Sequence, residues 1–363
     1  MEVKSLFCPH NNNIFTYRRN PSLMTIHASN DGTVGHTECS STLLTKDYFL
    51  RFSGIGRLYS NNITSTTGEE TVAGAGSSDT ERVMIVLNRL VKATVVIVGI
   101  GGVGSWASEA LCRSGIGSIV LVDLDDVCIS NTNRQVHALS STVGKFKIEE
   151  MKQRLHQINP HCNVSLIHEF VSKQNVESML DQIVTSLSPN DPLSTQNKTT
   201  ISNSRPLCVL DAIDGKIEKA ALIAACAARQ IPIVTVGGSA GKTDPTSIVL
   251  QDLARVQDDR LLFACRKILR QEYGFKKPNL LKPKRPAKKW HIMAVYSSEQ
   301  GGTQDNEGNN NSFVPSSSLR ICDSALGTAC YVTGTFGFVA AGAIIDMVAS
   351  NNFITPQAFE KMK

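Results

Sequence analysis

Short hydrophobic runs recur along the chain and alternate with longer stretches in which apolar residues follow helical spacing. The run Val95–Val98 is too short for a helix and rich in β-branched residues, which is typical of a strand buried on both faces of a parallel sheet. The same pattern predicts further strands at Ile119–Val122, Val164–Ile167, Cys208–Ile213, Ile233–Val236, Ile248–Asp252 and Trp290–Tyr296.

Amphipathic or apolar segments between these runs are predicted as helices. They cover Glu81–Leu90, Ser105–Arg113, Gly144–Ile158, Lys216–Arg229, Leu261–Tyr273 and Tyr331–Ala349. Strands that alternate with helices predict an α/β fold, in which a Rossmann-like, mostly parallel sheet has helices on both faces. The last helix is apolar, but it contains Asp346 and three glycines, so we interpret it as a core helix and expect no integral membrane span.

Polar stretches interrupt the predicted fold. We assign residues 49–350 to a single large domain and residues 351–363 to a tail, with polar insertions at 61–78, 186–206, 276–289 and 300–318. Seven basic residues and three prolines in the third insertion predict an extended loop that contacts nucleic acid. Arg51–Tyr59 groups arginine, aromatic and glycine residues, and its composition alone is compatible with a surface turn.

Residues 1–48 are predicted to be a disordered or targeting extension. Residues 3–30 contain three Lys or Arg residues and no acidic residue, a composition that fits a mitochondrial transit peptide. The composition fits a disordered extension without a targeting signal, in a cytoplasmic protein, equally well.

Net charge and cysteine usage narrow the class of protein. The formal charge of +5 is mildly basic and suits a polyanionic partner without requiring one. The ten cysteines include no C-x-x-C pair, which argues against a zinc ribbon and against a disulfide framework. A reducing compartment is therefore favoured.

The loop after the first predicted strand carries a phosphate-binding glycine pattern. Gly99, Gly101 and Gly104 have G-x-G-x-x-G spacing between a strand and a helix, so backbone N–H groups can approach a phosphate at the helix N-terminus. Asp123 ends the second strand, where a ligand for the ribose hydroxyls is expected. These features predict a nucleotide-binding unit.

The residues that follow Asp123 favour a triphosphate over a nicotinamide cofactor. A dehydrogenase needs apolar walls around its ring, whereas this chain has polar or charged residues there, namely Asp125, Asn131, Asn133, Arg134, Lys145 and Lys147. Charge-assisted bonds to phosphate contribute roughly 1.5–3 kcal/mol each. Asp211 and Asp214 lie at the end of a later strand, where ligands bind, although Asp214 could instead cap the next helix.

Five motifs in sequence order resemble the ubiquitin-activating-enzyme-like (ThiF/MoeB-type) adenylyltransferases. They are GxGGxGS (Gly99–Ser105), LVDLDD (Leu121–Asp126), NTNRQ (Asn131–Gln135), GKFK (Gly144–Lys147) and DAID (Asp211–Asp214). Within that group, the phrases RFSGIGRLY, DDVCISNTNRQVHAL and TGTFGFVAAG look like the tRNA threonylcarbamoyladenosine dehydratases. The resemblance covers about residues 49–349.

The resemblance implies a site for ATP and Mg²⁺. Gly101 and Gly102 would line the nucleotide between Gly99 and Gly104, and Asp123 would hold the ribose with help from Asp125. The residues implied to bind the phosphates are Asn131, Arg134 and Lys147. Asp214 would bind the magnesium ion.

The resemblance also implies a reaction and partners. The activity would be ATP-dependent dehydration of threonylcarbamoyladenosine next to the anticodon of tRNA, through adenylation of its carboxylate. Arg57 would act as an arginine finger in the partner subunit's site, which implies a homodimer. A monovalent cation and a sulfur-transfer protein partner are further expectations of the subfamily.

Three alternatives remain open from the sequence. The first is adenylation of the C-terminus of a ubiquitin-like or sulfur-carrier protein, although the paired C-x-x-C zinc ligands typical of sulfur-carrier enzymes are absent. Cys322 is interpreted as a small buried hydrophobe rather than a catalytic thiol. The second is a catalytically inactive nucleotide-binding scaffold, which has no need for a complete set of phosphate ligands. The third is a dehydrogenase.

Overall fold

The structure is a computed structural model that describes residues 44–61, 78–187, 206–276, 289–299 and 327–356. Most of the predicted N-terminal extension and most of the four polar insertions lie outside these ranges, as do Cys322 and most of the basic segment 276–289. The interpretations of these segments, including the mitochondrial or cytoplasmic localisation, stay predictions.

One sheet with seven strands organises the described part of the chain. Its strands are β1 (Thr94–Val98), β2 (Ser118–Val122), β3 (Asn163–Ile167), β4 (Leu207–Asp211), β5 (Ile233–Val236), β6 (Ile248–Asp252) and β7 (Met293–Ser297). They lie in the order β3-β2-β1-β4-β5-β7-β6, and every neighbouring pair is parallel except β6 with β7. The predicted mostly parallel sheet is confirmed.

Helices connect the strands and cover both faces of the sheet. They are α1 (Lys46–Ser60), α2 (Asp79–Lys92), α3 (Gly102–Arg113), α4 (Lys147–Ile158), α5 (Val176–Leu187), α6 (Lys216–Ala228), α7 (Arg260–Glu272) and α8 (Cys330–Ser350). Three short 3₁₀ turns lie at Ile129–Asn131, Pro245–Ser247 and Leu253–Arg255.

Alternating side chains of the central strands build two hydrophobic cores. Val95 and Ile97 of β1 face the core formed with α2, α3, α4 and α8. Val96 and Val98 face the core formed with α5, α6 and α7. Because successive residues of a strand point to opposite faces, an unbroken apolar run is what a strand covered on both sides requires.

The long apolar helix α8 packs along α3. Gly337 permits the close approach, because a Cβ at that position would lie 2.7 Å from the carbonyl oxygen of Val103. Among the described residues, α8 alone has the length and hydropathy of a membrane span, and 72% of its most apolar window is buried inside the protein. The structure therefore places it as the core helix that we predicted.

Two helices were not predicted. Arg51–Tyr59 belongs to α1 rather than to a surface turn, although Gly54 and Gly56 lower its helical propensity. Tertiary packing compensates, since a Cβ at Gly56 would come within 2.8 Å of Val83 Cγ1 on α2. Helix α5 was missed, and α1 begins at Lys46, ahead of the predicted domain boundary at residue 49.

Candidate active site

The loop between β1 and α3 is shaped by two glycines that the fold itself requires. Gly99 has a φ of +89°, and a Cβ there would lie 2.9 Å from the carbonyl oxygen of Ala212. A Cβ on Gly104 would lie 1.9 Å from the carbonyl oxygen of Gly99. Both positions therefore exclude a side chain, and they hold the N-terminus of α3 against the ends of β1 and β4.

Gly101 and Gly102 occupy the start of α3. Gly101 is the N-cap residue and supplies no side-chain hydrogen bond to the first turn. Among the described residues, a Cβ on Gly101 would meet only Gln135 Nε2, at 4.0 Å. Gly102 is backed by Thr333 of α8, at 3.1 Å from a Cβ. No side chain caps the first N–H groups of α3, and an uncapped helix N-terminus suits an anion.

Asp123 ties the end of β2 to this loop. Its Oδ2 accepts a 2.6 Å hydrogen bond from the N–H of Ile100, and its Oδ1 accepts one of 2.9 Å from the N–H of Asp125. The carboxylate is 7% exposed. Each carboxylate oxygen can accept more than one hydrogen bond, so Asp123 can still bind ribose hydroxyls from this fixed position.

Lys147 and Asp125 form an ion pair next to Asp123. Lys147 is the first residue of α4, and its Nζ lies 2.7 Å from Asp125 Oδ2. The lysine side chain is 8% exposed, whereas that of Asp125 is 52% exposed. The pair holds a buried cation at the rim of the nucleotide space, where a phosphate could replace Asp125 as its partner.

Asn131 and Arg134 are held by the segment that follows β2. Asn131 is buried, and its Oδ1 accepts a hydrogen bond from the N–H of Cys128. Arg134 Nη1 donates to the carbonyl oxygen of Ser130, while the Arg134 carbonyl accepts from the indole N–H of Trp106. Because Trp106 belongs to α3, the segment with both predicted phosphate ligands is attached to the phosphate-binding helix.

Asp214 follows β4 at the same edge of the sheet. It is exposed, and it makes no hydrogen bond or ion pair with any residue that the structure describes. It does not cap α6, since Gly215 is the N-cap residue and makes no side-chain bond. The Asp214 carboxylate is thus available for a cation.

A buried ion pair fixes the turn on which Asp214 lies. Asp211 and Lys219 are both 0% exposed, and their charged atoms are 2.8 Å apart. Thr235 donates a 2.6 Å hydrogen bond to Asp211 Oδ2, and Asp211 Oδ1 accepts from the N–H of Ile213. Asp211 is therefore structural, and its charge is already neutralised by Lys219.

Arg57 lies apart from the other predicted site residues of its own chain. It is exposed in the last turn of α1, next to Tyr59, whose pKa is raised by burial and also by the charge of Asp346 on α8. Asp346 is about 20 Å further along α8 than Thr333, which backs Gly102. Among the described residues, Arg57 makes no hydrogen bond or ion pair with the phosphate loop.

Two polar residues at the site were not singled out by the sequence analysis. Gln135 and His137 follow Arg134 and are 6% and 2% exposed. Gln135 Oε1 and both ring nitrogens of His137 have no hydrogen-bond partner among the described residues. Polar residues in a mostly polar segment give no sequence signal of burial, so only the structure reveals them.

The buried imidazole of His137 makes stability dependent on pH. Burial lowers the pKa of His137 to about 3, with smaller contributions from the charges of Lys147 and Arg154. Below the unfolded pKa of 6.5 the unfolded chain binds a proton that the folded chain does not, so stability falls as the pH decreases. Replacing His137 with Phe should remove this component.

The free energy of unfolding of His137→Phe minus that of wild type is expected to increase by roughly 2 kcal/mol when the pH is lowered from 7 to 5. Urea denaturation of both proteins at the two pH values measures it. Comparing the two proteins cancels the titration of the shared carboxylates. Parallel pH profiles would show that His137 does not carry the acid sensitivity.

These residues fit ATP as a bound substrate. The open N-terminus of α3 suits a phosphate, Asp123 suits the ribose, and Lys147 and Arg134 supply positive charge. No cluster of three or more His, Cys, Asp or Glu side chains that could hold a metal ion occurs within the described ranges. A cation at Asp214 would therefore take ATP phosphate oxygens and water as its other ligands, which is usual for Mg²⁺.

Comparison with known proteins identifies relatives over most of the chain. A model of the ThiF family matches residues 72–355. The tRNA threonylcarbamoyladenosine dehydratase of Haemophilus influenzae is 36% identical over 301 residues, which cover 83% of this chain and 94% of that protein. The enzyme of the same name from Escherichia coli strain K12 is 39% identical over 251 residues, covering 68% of this chain and 83% of the relative.

Solved structures give the same result. The E. coli tRNA N6-threonylcarbamoyladenosine dehydratase in complex with ATP aligns with a TM-score of 0.60 at 34% identity. The alignment covers 85% of this chain and 98% of that one. The complex of the same enzyme with AMP also has a TM-score of 0.60.

Proposed function

The chain belongs to the ThiF family, and on that premise we propose that it dehydrates threonylcarbamoyladenosine in tRNA, with ATP as the activating substrate. The observation that carries the proposal is the carboxyl edge of the sheet. That edge carries the uncapped N-terminus of α3, the carboxylate of Asp123 and the buried side chain of Lys147. It also carries Asp214, a carboxylate without a partner among the described residues. Relatives with this activity cover the same length of chain.

The first step is adenylation of the substrate carboxylate. A carboxylate oxygen of threonylcarbamoyladenosine attacks the α-phosphorus of ATP, and the bond from that phosphorus to the bridging oxygen of the β-phosphate breaks. Pyrophosphate leaves and an acyl adenylate remains. Arg134 and Lys147 stabilise the negative charge that accumulates on the phosphate oxygens, and Asn131 adds a neutral polar contact.

Magnesium is the ion that this site suits. Asp214 would hold it together with phosphate oxygens of ATP, and the ion would neutralise charge on the departing pyrophosphate. The Asp211–Lys219 pair keeps the turn with Asp214 in place. Because Lys219 already neutralises Asp211, the ion has one protein carboxylate at β4 rather than two.

The second step closes a ring within the activated substrate. The carbamoyl oxygen attacks the adenylated carbonyl carbon, the bond from that carbon to the phosphate-bound oxygen breaks, AMP leaves, and the carbamoyl nitrogen loses a proton to water. The nucleoside has then lost one water. Since both reacting groups belong to one molecule, effective molarities on the order of 10⁵ M are accessible without an enzyme nucleophile. This agrees with the absence of an evident catalytic cysteine from the sequence.

The active enzyme is a homodimer in this scheme. Arg57 makes no described contact with the phosphate loop of its own protomer, and it is exposed, so it could enter the site of a partner. An arginine supplied in trans would bind phosphate oxygens as charge develops on them. The separation of Arg57 from the other site residues supports this assignment.

Purified protein with ATP, Mg²⁺ and tRNA that contains threonylcarbamoyladenosine tests the proposed function. We expect stoichiometric AMP, followed by chromatography, and loss of one water from the nucleoside, detected by mass spectrometry under mild, non-hydrolysing conditions. The matched control is the same tRNA without the threonylcarbamoyl group, which should give no AMP.

The same assay distinguishes a second candidate substrate, a protein C-terminus, from the modified tRNA. AMP formation without dehydration of the nucleoside would indicate a protein acceptor, such as the C-terminus of a sulfur-carrier protein. Absence of ATP turnover by a folded protein would favour a nucleotide-binding scaffold. Either result would contradict the dehydratase assignment.

A further inference from the structure

Gln135 has an environment that the fold alone does not explain. Its side chain is 6% exposed, and its Oε1 is buried without a hydrogen-bond partner among the described residues. Its Nε2 faces the N-terminus of α3, at 4.0 Å from the position of a Cβ on Gly101. No described residue accepts a hydrogen bond from Nε2, so this amide group is available to a ligand with acceptor oxygens.

The neighbours of Gln135 identify the phosphate that its amide faces. Asp123, the ribose ligand, accepts a hydrogen bond from the N–H of Ile100, which directly precedes Gly101. The phosphate attached to the ribose is the α-phosphate, so it falls beside Gly101 and the first turn of α3. Lys147 and Arg134 carry the positive charge that the proposed function assigns to the phosphates, and Asp214 carries the carboxylate that it assigns to the magnesium ion.

We infer that Gln135 is a catalytic residue that donates a hydrogen bond from Nε2 to an oxygen of the α-phosphate. This inference rests on the proposed function and adds a residue to that site. In the attack of the carboxylate on the α-phosphorus, the oxygens of that phosphate carry the developing charge. The fixed, neutral amide of Gln135 at the start of α3 would stabilise that charge at the α-phosphate, whereas Lys147 and Arg134 would bind the pyrophosphate.

Gln135→Met is the decisive variant, because methionine has nearly the same shape and no hydrogen-bonding amide. If Gln135 only filled space, removing an unpaired buried oxygen would stabilise the fold and leave catalysis intact. Tm should be unchanged or higher by a few degrees in either case, but donation from Nε2 to the α-phosphate predicts that the rate of AMP formation falls about 10²-fold in the variant. The KM for ATP should change much less than kcat.

Nucleotide binding gives a readout that does not depend on turnover. AMP contains the α-phosphate and adenosine lacks it, so Gln135→Met should weaken AMP binding about 5- to 10-fold and leave adenosine binding unchanged. Calorimetric titration of wild type and variant with both ligands measures this difference. Equal AMP affinity in the two proteins would overturn the assignment, as would full activity of the variant.

Gln135→Glu keeps the test informative if the methionine variant folds poorly. An ionised carboxylate cannot donate and repels the phosphate, whereas the protonated acid can donate. The ratio of variant to wild-type activity should therefore rise as the pH is lowered from 8 to 6. A ratio that is independent of pH would contradict the inference. Inactivity of the wild type towards modified tRNA would instead refute the proposed function, and the AMP and adenosine titrations would still decide the role of Gln135.

Discussion

Asp214→Asn is expected to lower the rate of pyrophosphate release by about 10³-fold or more, with little change in the stability of the protein. The carboxylate makes no bond to any described residue and does not cap α6, so its loss removes no interaction from the fold. It would, however, remove the protein ligand of the magnesium ion that neutralises the leaving pyrophosphate. Release of ³²P-labelled pyrophosphate and thermal unfolding measure the two effects.

Asp126→Asn is the matched control, because Asp126 is an exposed carboxylate next to the same edge of the sheet and has no role in the proposed site. That variant should release pyrophosphate at the wild-type rate. A magnesium titration adds a second readout, in which any residual activity of Asp214→Asn should need a higher Mg²⁺ concentration. Near-normal release at wild-type Mg²⁺ levels would exclude Asp214 as the metal ligand.

Mixing two inactive variants is expected to restore about one quarter of wild-type activity if the active site is shared between subunits. Arg57→Ala lacks the trans arginine, and Asp214→Asn lacks the metal ligand, so each homodimer is inactive. Random assortment makes half of the dimers mixed, and each mixed dimer holds one intact site. Co-refolding or co-expression of the two variants, followed by the AMP assay, measures the recovery.

Recovery of activity in the mixture is expected only if Arg57 acts in the site of the partner subunit. If Arg57 acts within its own chain or has no catalytic role, mixing the variants does not produce the pattern of two inactive parents and a partly active mixture. Leu58→Ala provides a control for unspecific effects on α1, since Leu58 is 67% exposed and neighbours Arg57. Sedimentation of each protein shows whether dimers formed before activity is compared.

The strands and most helices were predictable because their sequence signals are local. β5 and β6 were predicted with the bounds that the structure shows, and β1 differs by one residue. A run of β-branched residues that is buried on both faces needs no knowledge of its neighbours to be recognised. Helix α1 is the opposite case, since two glycines disfavour it locally and contacts of Gly56 with α2 compensate.

Sequence alone predicted the chemical elements of the candidate site: the glycine loop, Asp123, the side chains assigned to the phosphates and the carboxylates at the end of β4. It could predict them because spacing relative to a strand end fixes which residues reach the carboxyl edge of a parallel sheet. Only the tertiary structure decided how each carboxylate is used. Asp211 is neutralised by Lys219 from α6, whereas Asp214, three positions later, remains unpaired among the described residues.

Tertiary structure also decided which residues belong to the site and which do not. It buries Gln135 and His137 and separates Arg57 from the phosphate loop, and the chain shows no periodic signal for any of these outcomes. Burial and pairing depend on residues that are distant in sequence and meet only when the sheet and its helices assemble. Local pattern therefore predicts candidate ligands of the nucleotide, and packing decides their burial and their hydrogen-bond and ion-pair partners.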